Sequence, residues 1–362
     1  GAGTPAPRRS LAGGELPSLV PDGSGAPLSV SENGGVMVRN AEIERAVEVL
    51  RAGGLVAFPT ETVYGLGADA ADPAALRRLY AVKGRPADHP VIVHVAGAAA
   101  LDDWAATVPP AACRLAEACW PGPLTLVLAR GGRVPDEVTG GRDTVGLRVP
   151  DHPLALRLLR AFAGGVAAPS ANRFGRVSPT TAADVRADLG TDVDVVLDGG
   201  PCTVGVESTI VAFASAETGA PAEPVILRPG GVTPERIEEL VGRPVPVRKG
   251  AGGDAPGTLA SHYSPRARVV LADAADVTAR VRREQAEGHR VGILAEKLPD
   301  DVPAGAVLLD APLDSGEYAR VLYARLRAAD DAGLDTVVAV PPAAIGIGVA
   351  VADRLRRAAG AV

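Results

Sequence analysis

Short apolar runs and helical apolar stripes alternate along most of the chain. Residues 55–60 (LVAFPT), 91–95 (VIVHV), 124–129 (LTLVLA) and 144–149 (TVGLRV) read as brief buried strands, each bounded by Gly, Pro or polar residues. Between them Ile43, Ala46, Val47 and Leu50 fall on one helical face, so a helix is predicted over 40–52, capped by Asn40 and stopped by Gly53-Gly54. Asp72 and Pro73 open a second helix, as N-cap and first residue, that delivers the chain to Lys83. Two helical stretches precede Trp120, others lie over 154–160 and near Ala182, and Thr233-Pro234 starts another. Strands are predicted at 166–172, 193–200, 205–211 and 225–228, with 205–211 expected to pair with 193–200 across a Gly/Pro turn.

The hydrophobic period disappears over 243–266, which is rich in Gly and Pro and reads as a linker. A plain β-α-β alternation follows. Strands at 268–272, 291–295, 306–309 and 336–341, with helices before Gly288, over 317–332 and from about 349, predict a small Rossmann-like parallel sheet. Gly346-Ile-Gly348 is half a dinucleotide fingerprint with no acidic residue to complete it, so it reads as a tight helix start. The chain is therefore expected to be α/β, in four parts: a flexible tail over 1–35, a catalytic domain over 36–242, the linker over 243–266, and a C-terminal domain over 267–362.

Composition narrows the chemistry. The hydrophobic content of 47% supports sizeable cores, and with aromatics at 3% those cores must be packed by Ala, Val and Leu. A net charge of -6 gives no global attraction to nucleic acid or to an anionic membrane, so any anion site must be local. Cys113, Cys119 and Cys202 fit no paired metal motif, and a reducing, cytoplasmic setting is the simplest expectation. No apolar run is long enough to cross a bilayer, and the first 35 residues lack the pattern of a secretory signal.

Candidate chemistry gathers around Ala81-Val-Lys-Gly-Arg-Pro-Ala-Asp-His-Pro90. Only three lysines stand among the 37 Lys and Arg residues, so Lys83 beside Arg85 suggests a specific need for a compact ammonium next to a planar guanidinium. The plainer alternative is a solvated helix end. Arg148 is costly in an apolar strand unless an acid or a ligand meets it, and period two puts it on the face of Thr144 and Gly146. His94 alone reads as a structural histidine, and Ser170 with Asn172 as ordinary turn formers. Together with Thr62, Ser178, Ser208 and Arg228, however, these residues recur at strand ends, where open α/β sheets place ligands. Converged, they would neutralise a triphosphate and one further carboxylate. The chain has no Walker loop, HExxH or GxSxG, and Ser170 has no evident histidine relay. Catalysis by positioning and charge stabilisation fits better, as in attack of an oxyanion on phosphorus.

The motifs PTETVYGLG, KGRPADHPVIVHV, WPGPLTLVL, TVGLRVP, APSANRFGRVSPT, DGGPCTVGVESTIV and ILRPGGVTPE, in this order, resemble the YrdC-like family of L-threonylcarbamoyladenylate synthases. The segment APGTLASHYSP and the Rossmann-like tail resemble its long, two-domain form. The resemblance implies a twisted mixed-sheet α/β domain with a concave site, followed by the small parallel α/β domain. It implies condensation of L-threonine, bicarbonate or CO2, and ATP to threonylcarbamoyl-AMP and pyrophosphate, with Mg2+ accompanying ATP. The product would pass to a tRNA threonylcarbamoyl transferase complex for N6-threonylcarbamoyladenosine at position 37. Carried over by motif, threonine would be held by Thr62, His94, Arg148, the Ala168 backbone and Ser208. ATP would be held by Lys83, Arg85, His89, Thr144, Ser170, Asn172, Ser178, Arg228 and Tyr263, with Lys83 and Arg85 catalytic and no protein metal cage. Many relatives carry Asn where this chain has His89. Tyr263 would bring the linker over the site and exclude water.

Two other classes fit the sequence less well. An RNA-binding module is disfavoured by the acidic charge and scarce aromatics, so no stable nucleic-acid binding is expected. A carbamoyl-phosphate-dependent carbamoyltransferase would need additional modules for which this chain has neither the cysteines nor the length.

Overall fold

The computed structural model describes residues 32–214, 223–248 and 263–360. The expected tail up to residue 31 and the linker residues 249–262 lie outside the described residues.

The elements in order are α1 (Glu32–Arg51), β1 (Val56–Phe58), β2 (Gly65–Asp69), α2 (Pro73–Lys83), β3 (Ile92–His94), α3 (Leu101–Trp104), α4 (Pro110–Cys119) and β4 (Leu124–Ala129). Then come α5 (Asp136–Thr139), β5 (Thr144–Arg148), α6 (Pro153–Phe162), β6 (Val166–Ala167), α7 (Ala182–Leu189), β7 (Val195–Val196), β8 (Thr209–Ala214), β9 (Glu223–Arg228) and α8 (Pro234–Val241). The second unit contains β10 (Arg268–Leu271), α9 (Val277–Ala286), β11 (Val291–Leu294), β12 (Val307–Asp310), α10 (Ser315–Asp331), β13 (Thr336–Ala339) and α11 (Gly348–Ala358).

The first nine strands form one mixed sheet in the order β7-β1-β2-β6-β3-β5-β4-β8-β9. The last four form a separate sheet, β10-β13-β11-β12, paired in parallel throughout. The mixed α/β domain and the small parallel α/β domain are thus both present. Ala, Val and Leu dominate the cores, as the shortage of aromatics required.

Three local expectations are corrected. The run at 205–211 does not pair with 193–200: β8 lies between β4 and β9, while β7 pairs with β1 at the opposite edge. Both runs are short and apolar, and sequence proximity alone does not choose between such partners. Gly65 and Gly67 lie in a strand, β2, where none is predicted, and neighbouring side chains crowd Gly67. A Cβ on Gly67 would lie 2.8 Å from Val166 Cγ1 and 2.9 Å from the Phe58 ring. Finally, α1 begins at Glu32, so Asn40 sits within the helix, where its side-chain oxygen accepts a hydrogen bond from Arg157 on α6 instead of capping.

The stretch after α8 is also more ordered than a bare linker. Val245 is buried in the first domain's core, and Val247 bridges to Ile226 of β9.

Candidate active site

One cavity opens where β1, β3, β5, β6 and β9 end, lined by residues of the first domain together with Tyr263. Its floor starts with the turn after β1. Thr60 Oγ1 donates to Val63 O at 2.6 Å and lies 2.9 Å from Thr62 Oγ1, while the Thr62 and Val63 N–H groups point back at Thr60. This hydroxyl-centred turn fixes Thr62 in the wall. Parallel pairing of β3 with β5 sets His94 opposite Arg148, and both face the cavity. Arg148 Nη2 donates to Glu61 Oε1 at 2.6 Å and to Thr62 Oγ1 at 3.0 Å, so the acid anticipated for this arginine is Glu61. Burial, reinforced by the Arg148 charge, pushes the His94 pKa down to about 3, which keeps the imidazole neutral at physiological pH.

The basic loop is built by the end of α2. Gly84 adopts φ 64, a left-handed turn that terminates the helix at Lys83 and sends Arg85 off in another direction. Arg85 lines the cavity, anchored by Nη2 to Pro90 O at 2.8 Å, with its guanidinium carbon 5.7 Å from the Phe174 ring centre. Lys83 lies one layer behind the wall. Its Nζ donates to the backbone carbonyls of Ser170 and Asn172, and burial together with the Arg85 charge pushes its pKa well below the ordinary lysine value.

On the other side, Arg228 at the end of β9 donates from Nη2 to Ser208 O at 2.8 Å and to Ser208 Oγ at 3.2 Å. Ser208 Oγ also lies 2.8 Å from Thr125 Oγ1. Its neighbour Glu207 lines the cavity too and accepts from Ser178 Oγ at 2.7 Å, Tyr323 OH at 2.9 Å and Arg354 Nε at 2.8 Å. Burial would raise this carboxyl, but the Arg354 and Arg228 charges hold its pKa down, at about 2. Tyr263 closes this side, fully buried, its ring stacked at 5.7 Å on Tyr323.

Nine of the anticipated residues therefore share one wall: Thr62, Arg85, His94, Arg148, Ala168, Ser170, Ser208, Arg228 and Tyr263. Lys83, Asn172 and Ser178 stand just behind it, through Ser170 and Glu207. Asn172 Nδ2 ties down the loop through Arg173 O and Arg176 O, at 2.8 and 2.9 Å, and its Oδ1 has no hydrogen-bond partner among the described residues. Thr144, at the start of β5, and His89, half-buried with its ring 5.6 Å from Phe174, are not part of the wall. Thr60, Glu61, Glu207, Tyr323 and Arg354 were not anticipated. The first three lie inside quoted motifs, where a buried hydroxyl or carboxylate beside a cation was the available signal. Tyr323 and Arg354 come from the second domain, and nothing in the sequence ties them to the cavity.

A mixed-sheet α/β domain with a cation- and hydroxyl-lined cavity, backed at Glu207 by a second parallel α/β unit, defines a two-domain α/β protein whose cavity suits an anionic ligand. Comparison with known proteins makes this specific. The Sua5–YciO–YrdC family model, described as telomere recombination, matches residues 48–230, and the model described as threonylcarbamoyl-AMP synthase, C-terminal domain, matches residues 232–360. The threonylcarbamoyl-AMP synthase of Pyrococcus abyssi is 40% identical over 334 residues, covering 88% of this chain and 94% of that protein. That of Bacillus subtilis is 39% identical, covering 88% and 93%. The crystal structure of P. abyssi Sua5 complexed with L-threonine superposes with a TM-score of 0.81 at 38% identity, over 88% of this chain and 94% of that one. The chain belongs to the Sua5–YciO–YrdC family, in its two-domain form.

Proposed function

We infer that this chain is a threonylcarbamoyl-AMP synthase, joining L-threonine, bicarbonate or CO2, and ATP into threonylcarbamoyl-AMP and pyrophosphate. The observation that carries this reading is the convergence of Thr62, His94, Arg148 and Ser208 with Arg85, Ser170, Arg228 and Tyr263 on one cavity. The relatives' names and the threonine-bound P. abyssi structure support the same assignment.

Arg148, held in place by Glu61, presents a guanidinium to the threonine carboxylate. Neutral His94 and the hydroxyls of Thr62 and Ser208 suit the remaining polar groups and add no charge. The free amine adds CO2, losing a proton, and a carbamate oxygen then attacks the α-phosphorus of ATP. The bond to the β-phosphate oxygen breaks and pyrophosphate leaves. Arg85 and Arg228 spread the charge that develops on the phosphates, and Lys83 fixes the Ser170–Asn172 backbone that frames them. Mg2+ enters with ATP as part of the substrate. Glu207, the carboxylate of the wall, is already engaged by Arg354, Tyr323 and Ser178, so substrate oxygens would supply most of the ion's ligands. The buried Tyr263 keeps water from the labile product.

The product's mixed anhydride calls for a threonylcarbamoyl acceptor, which we take to be tRNA through a transferase complex, in the cytoplasm. Among the described residues no helix is long and apolar enough to cross a membrane. The deciding experiment is mass spectrometry of the adenylate formed from ATP, bicarbonate and threonine. The expected product is threonylcarbamoyl-AMP with stoichiometric pyrophosphate. Product formation from carbamoyl phosphate without threonine would replace this reading.

A further inference from the structure

Among the described residues lining the cavity, Glu207 is the one carboxylate, and it sits on the side shared with Arg228 and Tyr263. A buried anion there opposes a triphosphate, because charge repulsion is strong where water is excluded. Its nearest counter-charge comes from the other domain. Arg354, on α11, has a fully buried side chain, donates from Nε to Glu207 Oε2 at 2.8 Å, and donates from Nη1 to Pro229 O at 2.9 Å and to Asp353 Oδ2 at 2.8 Å, a carboxylate that Arg357 also pairs with and so balances. Its guanidinium carbon lies 5.3 Å from the Tyr263 ring centre. Tyr323, on α10, donates its hydroxyl to the same carboxylate. The second domain thus contributes a cation and a hydroxyl to a charge balance that belongs to the cavity of the first.

We propose that Arg354 is a positioning residue for the nucleotide. It cancels the charge of Glu207 and holds that carboxylate on Ser178, so that Glu207 does not oppose the phosphates on the ATP side of the cavity. A purely mechanical pin between domains would need no charge, and an arginine fully removed from water is expensive unless its charge is used. The proposal rests on the reading of ATP as substrate.

The test measures ATP and threonine affinities by calorimetry, with MgATP and L-threonine as probes, alongside turnover. In R354M, ATP affinity is expected to fall at least about tenfold while threonine affinity stays within about threefold. In the double variant E207Q/R354M, which removes both charges, ATP affinity is expected to return to within about threefold of the starting protein. ATP binding unchanged in R354M, or a folded double variant as weak as R354M, overturns the proposal. Should R354M not fold, the double variant and R354K decide it: either one binding ATP at least about tenfold more weakly than the starting protein overturns it, and retained affinity supports it. If the unmodified protein makes no threonylcarbamoyl-AMP, the functional reading fails, while the ATP affinities of the variants still decide the role of Arg354.

Discussion

Arg148, in the wall of the cavity, meets Glu61 behind it at 2.6 Å, with side chains only 5% and 7% exposed. The second oxygen of Glu61 accepts the Asp151 N–H at 3.0 Å, so the carboxylate is fixed from behind and the guanidinium is aimed by it. A buried pair of this kind is costly to break, because the survivor is left charged and dry.

Arg148→Ala is therefore expected to lower stability by about 3–5 kcal/mol and to abolish threonine-dependent pyrophosphate release. Arg148→Lys keeps the charge but not the planar fork, and its KM for threonine should rise at least about tenfold with KM for ATP within about threefold. Urea unfolding and steady-state kinetics check the two effects separately. An Arg148→Ala protein with near-native turnover would remove Arg148 from the threonine site.

Lys83 works through the backbone it holds. Lys83→Ala removes a donor from the carbonyls of Ser170 and Asn172, of which Ser170 O keeps the Asn172 N–H, and is expected to cost about 1–3 kcal/mol in stability. Turnover should fall by about 100-fold or more as the phosphate-facing loop loses its frame. Circular dichroism is expected to show the fold intact. Normal turnover in a correctly folded variant would show that the ammonium is dispensable.

The depressed His94 pKa makes an acid-side prediction. The unfolded chain takes up a proton at His94 near pH 6.5, whereas the folded chain resists it down to about 3, so between these values the unfolded state holds more protons. The contribution is fully present above pH 6.5 and is lost as pH falls. Below about pH 6 the protein should lose about 1.4 kcal/mol per pH unit relative to His94→Gln. Urea titrations of both proteins from pH 7 to 5 measure the difference, and parallel curves would contradict the burial of a neutral imidazole.

Gly205 marks the seam between the domains. It adopts φ 83, and an added Cβ would lie 2.4 Å from Ala319 O and 2.5 Å from Arg320 Cα on α10. Gly205→Ala is expected to cost about 1–3 kcal/mol and to loosen α10, the helix that carries Tyr323. Hydrogen exchange should rise along α10 first, ahead of the mixed sheet.

Much of the site was legible because its residues interrupt apolar runs. An arginine at the end of TVGLR or a histidine at the end of VIVH stands out against its strand, and the Gly84 turn between Lys83 and Arg85 is written in the chain. The strands were legible as runs but not in their pairing: β7 and β8 are alike in pattern, and the sheet's overall order separates them. β2 was hidden because its two glycines are poor strand formers, retained for close packing against Phe58 and Val166. The link between Glu207 and Arg354 was invisible for a different reason. The two residues are 147 positions apart, and a cation on an amphipathic helix such as α11 reads as solvent-facing until the other domain is in place.

That link also constrains how such proteins can be recombined. A chimera taking its first domain from this chain and its second from a distant relative inherits Glu207 without a guarantee of the matching guanidinium. Joining the pieces at a permissive loop would leave it folded at both ends and electrically mismatched in the middle. Successful shuffling should therefore track whether an arginine arrives in register on the final helix, more closely than the length or composition of the connecting segment.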